Sequence, residues 1–266
     1  MKPITTKYEN KGIPVFYAEK TNDPAVLEFL RGLNADLLIE VGWSHWIGTE
    51  ILQTAKMGTI GFHNSYLPYN QGAASLNWAL IRDEKEWGTT LFWLAENIDA
   101  GDIIARTKYP VTDDDDVNTL FDKADDASLA MLKEMLPKLR DGTAPRITQN
   151  PADVTSLPRR KPEDGKINWS LPAREIWNLV RALKKPYPPA FTFIDGKKIL
   201  VCDARMHDEP SKNAGEIQAV SDEGIVVGTG NGTVLLRTLE PEGENEMSAL
   251  AAAKKLSLQP SRHFDA

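Results

Sequence analysis

Residues 59–72, Thr-Ile-Gly-Phe-His-Asn-Ser-Tyr-Leu-Pro-Tyr-Asn-Gln-Gly, join a short apolar run to a polar segment that holds proline and glycine. The pattern predicts a strand over Thr59–His63, then a loop, then a helix at about 73–82. The mostly apolar residues 35–41 predict an earlier strand, of the kind found in a sheet covered on both faces. His63 would then lie at the carboxyl end of a parallel strand, where α/β proteins bind their ligands.

Strand and helix signals alternate on both sides of this segment. A strand is predicted at 13–17, a helix with Pro24 in its first turn runs to about Gly32, and a short helix follows at 49–56. Strands are predicted at 88–95 and 102–111, before a long amphipathic helix from Asp115 to Arg140. This alternation predicts an α/β layer structure with a largely parallel sheet.

The pattern changes after about residue 142. Residues 143–165 contain four prolines and mixed charges, which is typical of a linker between domains. A helix is predicted at 172–183, and the remainder is rich in strand signals with hairpin turns at Asp195-Gly196 and Asn231-Gly232. We therefore predict one domain at 1–142, a linker at 143–165 and a small antiparallel β-barrel or sandwich at 166–258.

The composition excludes several classes of protein. The chain has 266 residues, of which 41% are hydrophobic and 26% charged, so a disordered or collagen-like chain is excluded. Cys202 is the single cysteine, which excludes an internal disulfide framework and a cysteine-rich zinc site. No apolar run approaches the roughly 20 residues of a membrane span, and the N-terminus lacks the apolar region of a signal peptide. A cytoplasmic protein without membrane contact is expected.

The charge distribution bears on the partner. The net charge is −7, from 31 basic and 38 acidic side chains, and residues 166–266 carry 13 of each sign. Neither half is basic, which argues against a phosphate backbone as the main partner. A local basic stripe remains compatible with these numbers.

Two segments carry the residue types of a catalytic site. They are residues 61–72, which include His63, and residues 96–102, a tight acidic turn that includes Asp99 and Gly101. A histidine beside a carboxylate suits proton transfer around an acyl carbon, because the carboxylate fixes the tautomer and stabilises the imidazolium. The alternative interpretation is a capping aspartate and a partly buried histidine with structural roles.

The same segments resemble a known family. H-N-S-Y-L-P-Y-N-Q-G at 63–72, W-G-T-T-L at 87–91 and I-D-A-G-D-I-I at 98–104 are similar to the formyltransferase superfamily that uses N10-formyltetrahydrofolate. The resemblance continues through residues 161–170, 177–183 and 186–192, and covers about residues 12–250. It implies a Rossmann-like formyltransferase domain followed by an OB-like antiparallel β-barrel.

The resemblance also implies a site. His63 and Asp99, which are 36 residues apart, match the catalytic histidine and aspartate. N10-formyltetrahydrofolate would be the co-substrate, and no metal is implied. The residues expected to bind the folate are Trp43, Trp46, Ile47, Asn97, Ile98, Ala100 and Gly101. The residues expected to bind the acceptor substrate are Ser65, Tyr66, Tyr69, Asn70 and Gly72.

The resemblance implies attack by a primary amine on the formyl carbon of N10-formyltetrahydrofolate. Which molecule carries this amine has to be inferred from other residues. Residues 74–79, residues 177–191, Tyr66 and Tyr69-Asn70 look closest to enzymes that act on nucleotide-linked amino sugars. Together with the neutral C-terminal half, they favour an amino-sugar nucleotide as the small-molecule partner. The alternative is a methionyl-tRNA formyltransferase, with tRNA as the partner. A homodimer is a further expectation.

Two departures from the family pattern stand out. Gly61 occupies the position of an asparagine that supplies a side-chain amide, and loss of one such donor typically costs about a hundredfold in rate. Only eleven residues precede Gly12, so the family's first strand-helix-strand unit is missing, and a truncated sequence is the simplest explanation. These departures motivate a second alternative, a homologue with weakened catalysis that binds folate or nucleotide.

Overall fold

The computed structural model describes Tyr8, residues 11–43 and residues 45–265. The expectation of a missing strand-helix-strand unit concerns the segment before Lys11. Of that segment, the structure describes Tyr8 alone. The chain forms two compact units. The first comprises Met1–Gln71, Thr89–Thr107 and Ser128–Thr155, and the second comprises Gly72–Gly88, Lys108–Ala127 and Ser156–Ala266. The predicted domain and linker boundaries stay a prediction.

The helices and strands up to residue 142 follow the predicted order closely. In chain order they are α1 (Pro24–Leu33), β1 (Leu38–Glu40), α2 (Thr49–Leu52), β2 (Thr59–His63), α3 (Ser75–Ile81), β3 (Glu86–Trp93), β4 (Ile103–Pro110) and α4 (Val117–Arg140). The start of α1 is set by local chemistry, because the Asp23 side chain accepts a hydrogen bond from the Ala25 N–H at 2.9 Å and Pro24 takes the first helical position.

These strands form a four-stranded sheet in the order β1-β2-β3-β4. β1 pairs with β2 in parallel, whereas β2 pairs with β3 antiparallel. β3 and β4 form a hairpin, in which the Trp93 N–H bonds the Asp102 carbonyl and the Val111 N–H bonds the Lys85 carbonyl. The α/β class with parallel pairing is confirmed. The sheet is mixed rather than largely parallel, because β3 runs antiparallel to β2 and the turn between β3 and β4 is too short for a crossover helix.

Two local predictions in the first unit are wrong. Residues 13–17 form no strand, since Pro14 lacks the N–H of a ladder and Tyr17 is 66% exposed. The strand predicted at 35–41 shortens to β1, whose Ile39 is 36% exposed, so it is not covered on both faces. β1 lies at one edge of the described sheet, which explains this exposure.

The C-terminal part of the second unit is a closed antiparallel β-structure. Its elements are α5 (Ala173–Ala182), β5 (Ala190–Ile194), β6 (Lys197–His207), β7 (Ile217–Val220), β8 (Ile225–Gly228), β9 (Thr233–Pro241), β10 (Met247–Ser248) and α6 (Ala249–Leu256). The sheet order is β5-β6-β9-β8-β7, with β10 paired to β9. The tail bridges the two edge strands, because the Asp265 N–H bonds the Phe193 carbonyl of β5 and the Ile217 N–H of β7 bonds the Arg262 carbonyl. The predicted C-terminal antiparallel barrel is confirmed.

An arginine cluster on α5 organises the polar interior of the second unit. Arg181 is 4% exposed, and its Nη1 donates to the carbonyl oxygens of Thr112 and Asp115 at 2.7 and 2.8 Å. Arg174 bonds the carboxylates of Asp83 and Asp113. Burial alone would raise the pKa of Asp83, but hydrogen bonds from Arg174 and Lys85 outweigh burial and lower it to about 2.

The lowered pKa of Asp83 predicts an acid-sensitive contribution to stability. The ordinary aspartate pKa is about 3.9, so this stabilisation is present above that pH and is lost as the pH falls towards about 2. Asp83→Asn is therefore expected to flatten the loss of unfolding free energy in this acid range, measured by urea unfolding at a series of pH values. The exposed Asp126→Asn is the charge-matched control. An unchanged slope in Asp83→Asn would contradict the assignment.

Candidate active site

His63 and Asp99 meet at the end of β2. The His63 Nδ1 lies 3.5 Å from Asp99 Oδ1, and both side chains are 13% exposed. On the other side of the ring, His63 Nε2 lies 3.2 Å from the Asn70 carbonyl oxygen. A carbonyl oxygen only accepts, so Nε2 carries the hydrogen of that bond and Nδ1 faces the carboxylate. A proton taken up on Nδ1 would lie between the ring and Asp99, so the pair can accept a proton from a substrate.

The turn between β3 and β4 positions Asp99. Asp99 adopts a left-handed conformation with φ of 56°, and the Trp93 N–H closes the turn by donating to the Asp102 carbonyl at 2.8 Å. Gly101 is required here, because a Cβ at this position would overlap the Trp93 carbonyl oxygen. A tight backbone turn therefore holds the carboxylate against the imidazole.

Two glutamine side chains, which the sequence did not single out, fix this turn from outside. Gln149 is 8% exposed, and its Nε2 donates to the carbonyl oxygens of Asp99 and Gly101 at 2.7 and 2.8 Å. Gln71 Nε2 also donates to the Asp99 carbonyl, at 3.1 Å. Gln149 lies 50 residues beyond Asp99, and no local pattern marks it, so only the folded structure could reveal its role.

We expect Gln149→Glu to lower kcat for the chemistry at this site by about tenfold. The two side chains have nearly the same shape, but a carboxylate cannot donate to the Asp99 and Gly101 carbonyls, so the turn loses its support. Steady-state kinetics of purified variants would measure the effect. Thr148→Val is the matched control, since it removes the more exposed bond from Thr148 to Asp102. A Gln149→Glu variant as fast as wild type would show that the turn needs no such support.

The residues predicted to bind folate lie on two exposed segments of the first unit. On the loop after β1, Trp43 and Trp46 are 48% and 53% exposed, and Ile47 is half-buried. The Asn22 side chain anchors this loop by donating to the Trp46 carbonyl and accepting from the Gly48 N–H. On the turn after β3, Asn97, Ile98 and Ala100 are exposed, with Ile98 at 67%. Their contact with folate stays a prediction.

The residues predicted to bind the acceptor have diverse environments. Ser65 is fully buried, and its hydroxyl donates to the Tyr69 carbonyl at 2.8 Å, so it shapes the loop after β2. The Tyr66 ring lies under the Arg106 guanidinium, 4.4 Å from its centroid, whereas Tyr69 is 45% exposed. Asn70 donates its N–H to Thr155 Oγ1 at 2.8 Å. Gly72 belongs to the second unit and has φ of 108°.

Gly61, where an asparagine was expected, is packed against a carboxylate. A Cβ at this position would lie 2.7 Å from Glu40 Oε2 and 2.6 Å from Leu94 Cδ1. Burial raises the pKa of Glu40, the Trp43 N–H bond lowers it, and the nearby charge of Asp99 raises it again, so the net shift is upward. The space that an asparagine would fill therefore holds an acidic side chain from the neighbouring strand.

An α/β unit with a His–Asp pair at the end of a strand, together with a small antiparallel barrel, suits a group-transfer enzyme. Comparison with protein-family models identifies the group that is transferred. Residues 2–136 match the formyl transferase model, and residues 159–257 match the model of the formyl transferase C-terminal domain. The chain belongs to the formyl transferase family and is a formyl-group transferase.

Individual relatives agree with the family models. The methionyl-tRNA formyltransferase of Geobacter metallireducens is 33% identical over 258 residues, which cover 97% of this chain and 82% of that protein. The methionyl-tRNA formyltransferase of Bacillus licheniformis is 33% identical over 263 residues, with the same coverage of each chain. HypX from Aquifex aeolicus, solved in complex with tetrahydrofolic acid, has the same fold with a TM-score of 0.73 and 21% identity, over 88% of this chain and 41% of HypX.

The expected amino-sugar acceptor is wrong. Seven curated relatives, 31–34% identical over most of the chain, are all named methionyl-tRNA formyltransferase. Two of the residues that suggested a sugar enzyme, Asn77 and Trp78, instead make hydrogen bonds within the second unit. Asn77 is 1% exposed and donates to the Ala182 carbonyl at 2.6 Å, and the Trp78 indole N–H donates to the Pro158 carbonyl at 3.0 Å.

Within the described parts of the chain, no helix combines the length and apolar character that a membrane crossing requires.

Proposed function

We propose that this protein transfers the formyl group of N10-formyltetrahydrofolate to the amino group of methionyl-tRNA. The observation that carries the proposal is the set of relatives with this name, two of which match 97% of this chain and 82% of their own length. The folate donor is supported by HypX, whose structure of the same fold contains tetrahydrofolic acid. tRNA is thus the proposed partner, although neither half of the chain has a net basic charge.

In the proposed reaction, the methionyl amine attacks the formyl carbon and the carbonyl electron pair moves onto the formyl oxygen. The His63–Asp99 pair takes the proton that the attacking nitrogen releases, consistent with the carboxylate 3.5 Å from Nδ1. The oxyanion then re-forms the carbonyl, the bond from carbon to N10 breaks, and N10 receives a proton. The products are formylmethionyl-tRNA and tetrahydrofolate.

The exposed aromatic and apolar surfaces of the first unit are the proposed folate contacts. Trp43 and Trp46 offer flat faces for a pterin ring, and Ile98 on the turn beside Asp99 offers an apolar contact. On the acceptor side, Tyr69 is exposed and Asn70 already contacts the catalytic histidine through its carbonyl. A homodimer stays a prediction.

The proposal is tested by following a labelled formyl group from N10-formyltetrahydrofolate to methionyl-tRNA. We expect the label on the methionine of the charged tRNA, with one tetrahydrofolate released for each formyl group transferred. N-acetylmethionyl-tRNA is the matched control, because it has the same tRNA and ester but no free amine. Release of tetrahydrofolate without label on methionyl-tRNA would refute this acceptor.

A further inference from the structure

Thr155 binds the end of the loop after β2 at three points. The Asn70 N–H donates to Thr155 Oγ1 at 2.8 Å, and the Gln71 N–H donates to the Thr155 carbonyl at 2.9 Å. The Thr155 N–H donates in turn to the Pro68 carbonyl at 3.4 Å. Thr155 comes 85 residues after Asn70 in the chain, and both belong to the first unit. A residue from a distant segment therefore fixes the loop that follows the catalytic histidine.

The peptide bond between Asn70 and Gln71 joins Thr155 to the catalytic imidazole. Its carbonyl oxygen lies 3.2 Å from His63 Nε2, and its N–H is the group that donates to the Thr155 carbonyl. A peptide group is planar, so anchoring its N–H also fixes the direction of its carbonyl. Asn70 has a left-handed backbone with φ of 60°, which turns two successive N–H groups towards one residue, Thr155. Thr155 thus determines where the Asn70 carbonyl oxygen meets the ring.

The residues just before Thr155 also support the second catalytic residue. Gln149 donates to the Asp99 carbonyl at 2.7 Å, six residues before Thr155. A short 3-10 helix at Pro151–Asp153 lies between them, and the Asn150 side chain caps it by accepting the N–H of its second residue at 3.1 Å. This capped turn limits the motion of the segment that joins Gln149 to Thr155. One segment therefore bonds both the loop beside the imidazole and the turn that carries the carboxylate.

Two acceptors compete for the single ring hydrogen of a neutral His63. The Asp99 carboxylate faces Nδ1 at 3.5 Å, and the Asn70 carbonyl oxygen faces Nε2 at 3.2 Å. A hydrogen on Nε2 leaves Nδ1 free to take up a proton beside the carboxylate. If the Asn70 carbonyl moved away, Asp99 would draw the hydrogen to Nδ1, because a hydrogen bond to a charged acceptor is the stronger one. The protonation site of the neutral ring therefore depends on the position of the Asn70 carbonyl.

We propose that Thr155 is a positioning residue for His63, because it fixes the Asn70 carbonyl that keeps the ring hydrogen on Nε2. The inference rests on the proposed formyl transfer at the His63–Asp99 pair. Thr155 acts through hydrogen bonds and a peptide group, and it exchanges no proton with the substrate. Its contribution is the tautomer in which the nitrogen that faces Asp99 is free to accept the proton of the attacking amine.

Two substitutions at position 155 test the hydroxyl. Thr155→Val keeps the shape of the side chain but cannot accept the Asn70 N–H, so kcat is expected to fall about fivefold with KM for the folate donor unchanged. Thr155→Ser keeps the acceptor and is expected to stay within about twofold of wild type. Thr143→Val is the matched control and should keep the wild-type rate, since Thr143 is exposed and its hydroxyl lies 3.4 Å from the Lys138 carbonyl.

The tautomer of His63 gives a readout that does not depend on turnover. The chain has four histidines, so in protein with 15N-labelled histidine the His63→Ala variant identifies the His63 signals by their disappearance. At a pH at which the ring is neutral, we expect the hydrogen on Nε2 in wild type and in Thr155→Ser. In Thr155→Val we expect a shift of the hydrogen towards Nδ1. A purely structural role of Thr155 would lower the free energy of unfolding and leave the tautomer unchanged.

Three results would overturn the proposal. They are an unchanged His63 tautomer in Thr155→Val, a Thr155→Val variant as fast as wild type, and a Thr155→Ser variant as slow as Thr155→Val. The last of these would show that the methyl group matters and the hydroxyl does not. The tautomer is measured without folate or tRNA. Failure of wild type to formylate methionyl-tRNA would therefore refute the proposed acceptor, whereas the tautomer decides the role of Thr155.

Discussion

Replacing His63 by alanine is expected to lower kcat for formyl transfer by about a thousandfold, with little change in KM for the folate donor. In the proposed mechanism the imidazole takes the proton of the attacking amine, and the Asp99 carboxylate, 3.5 Å from Nδ1, stabilises the charged ring. Because the proposed folate contacts lie on other segments, donor binding should survive the substitution. Initial rates at varied donor concentration separate kcat from KM.

Asp99→Asn provides the companion measurement. It preserves the shape of the side chain but removes the negative charge 3.5 Å from His63 Nδ1, so kcat should again fall steeply. Residues that act as one unit show strongly non-additive effects, so the double variant should be little slower than His63→Ala. His263→Ala, on a side chain that is 52% exposed, is the control histidine. Full additivity would show that the two residues act independently.

Gly101→Ala is expected to lower the free energy of unfolding by about 3 kcal/mol and to abolish most activity. A Cβ at this position overlaps the Trp93 carbonyl oxygen, which is backbone and cannot rotate away. The end of β3 and the turn would have to separate, and the turn is what holds Asp99 beside His63. Urea unfolding and formyl transfer measured on the same preparation test both effects.

Gly32→Ala is the matched control for this glycine. Gly32 lies inside α1, and a Cβ there meets no atom within 4 Å beyond the adjacent residues and the helix's own backbone, so the substitution should stabilise the protein by about 0.5–1 kcal/mol. The same added methyl group should thus lower the free energy of unfolding at Gly101 and raise it at Gly32. A Gly101→Ala variant with wild-type stability and activity would contradict the close approach of the turn to β3.

Local sequence signals predicted most of the elements, because their causes are local. Asp23 and Pro24 mark the start of α1, and the apolar run ending at His63 marks β2 with the bounds that the structure shows. The sequence wrongly predicted a largely parallel sheet, because the direction in which two strands pair depends on contacts between distant segments. Residues 13–17 form no strand although four of the five are strand formers, because Pro14 cannot donate to a strand ladder and the segment is mostly exposed.

The site was predictable only in part for the same reason. His63 ends one predicted strand, Asp99 follows another, both belong to motifs, and the structure brings them together. Gln149 and Glu40 come from other segments and carry no pattern, so their place beside Asp99 and Gly61 becomes visible only after folding. The acceptor was misjudged because Asn77 and Trp78 resemble those of sugar enzymes, yet their side chains donate to the Ala182 and Pro158 carbonyls of the second unit.

The most direct test of formyl transfer at the His63–Asp99 pair is a single-turnover measurement with formyl-labelled N10-formyltetrahydrofolate and methionyl-tRNA. Enzyme in excess removes product release from the observed rate, so the rate reports the chemical step. We predict that wild type moves the label onto the methionyl amine in one phase, and that His63→Ala, Asp99→Asn and the double variant are all slow. Label that remains on folate with wild type, or moves as fast with His63→Ala, would contradict the account.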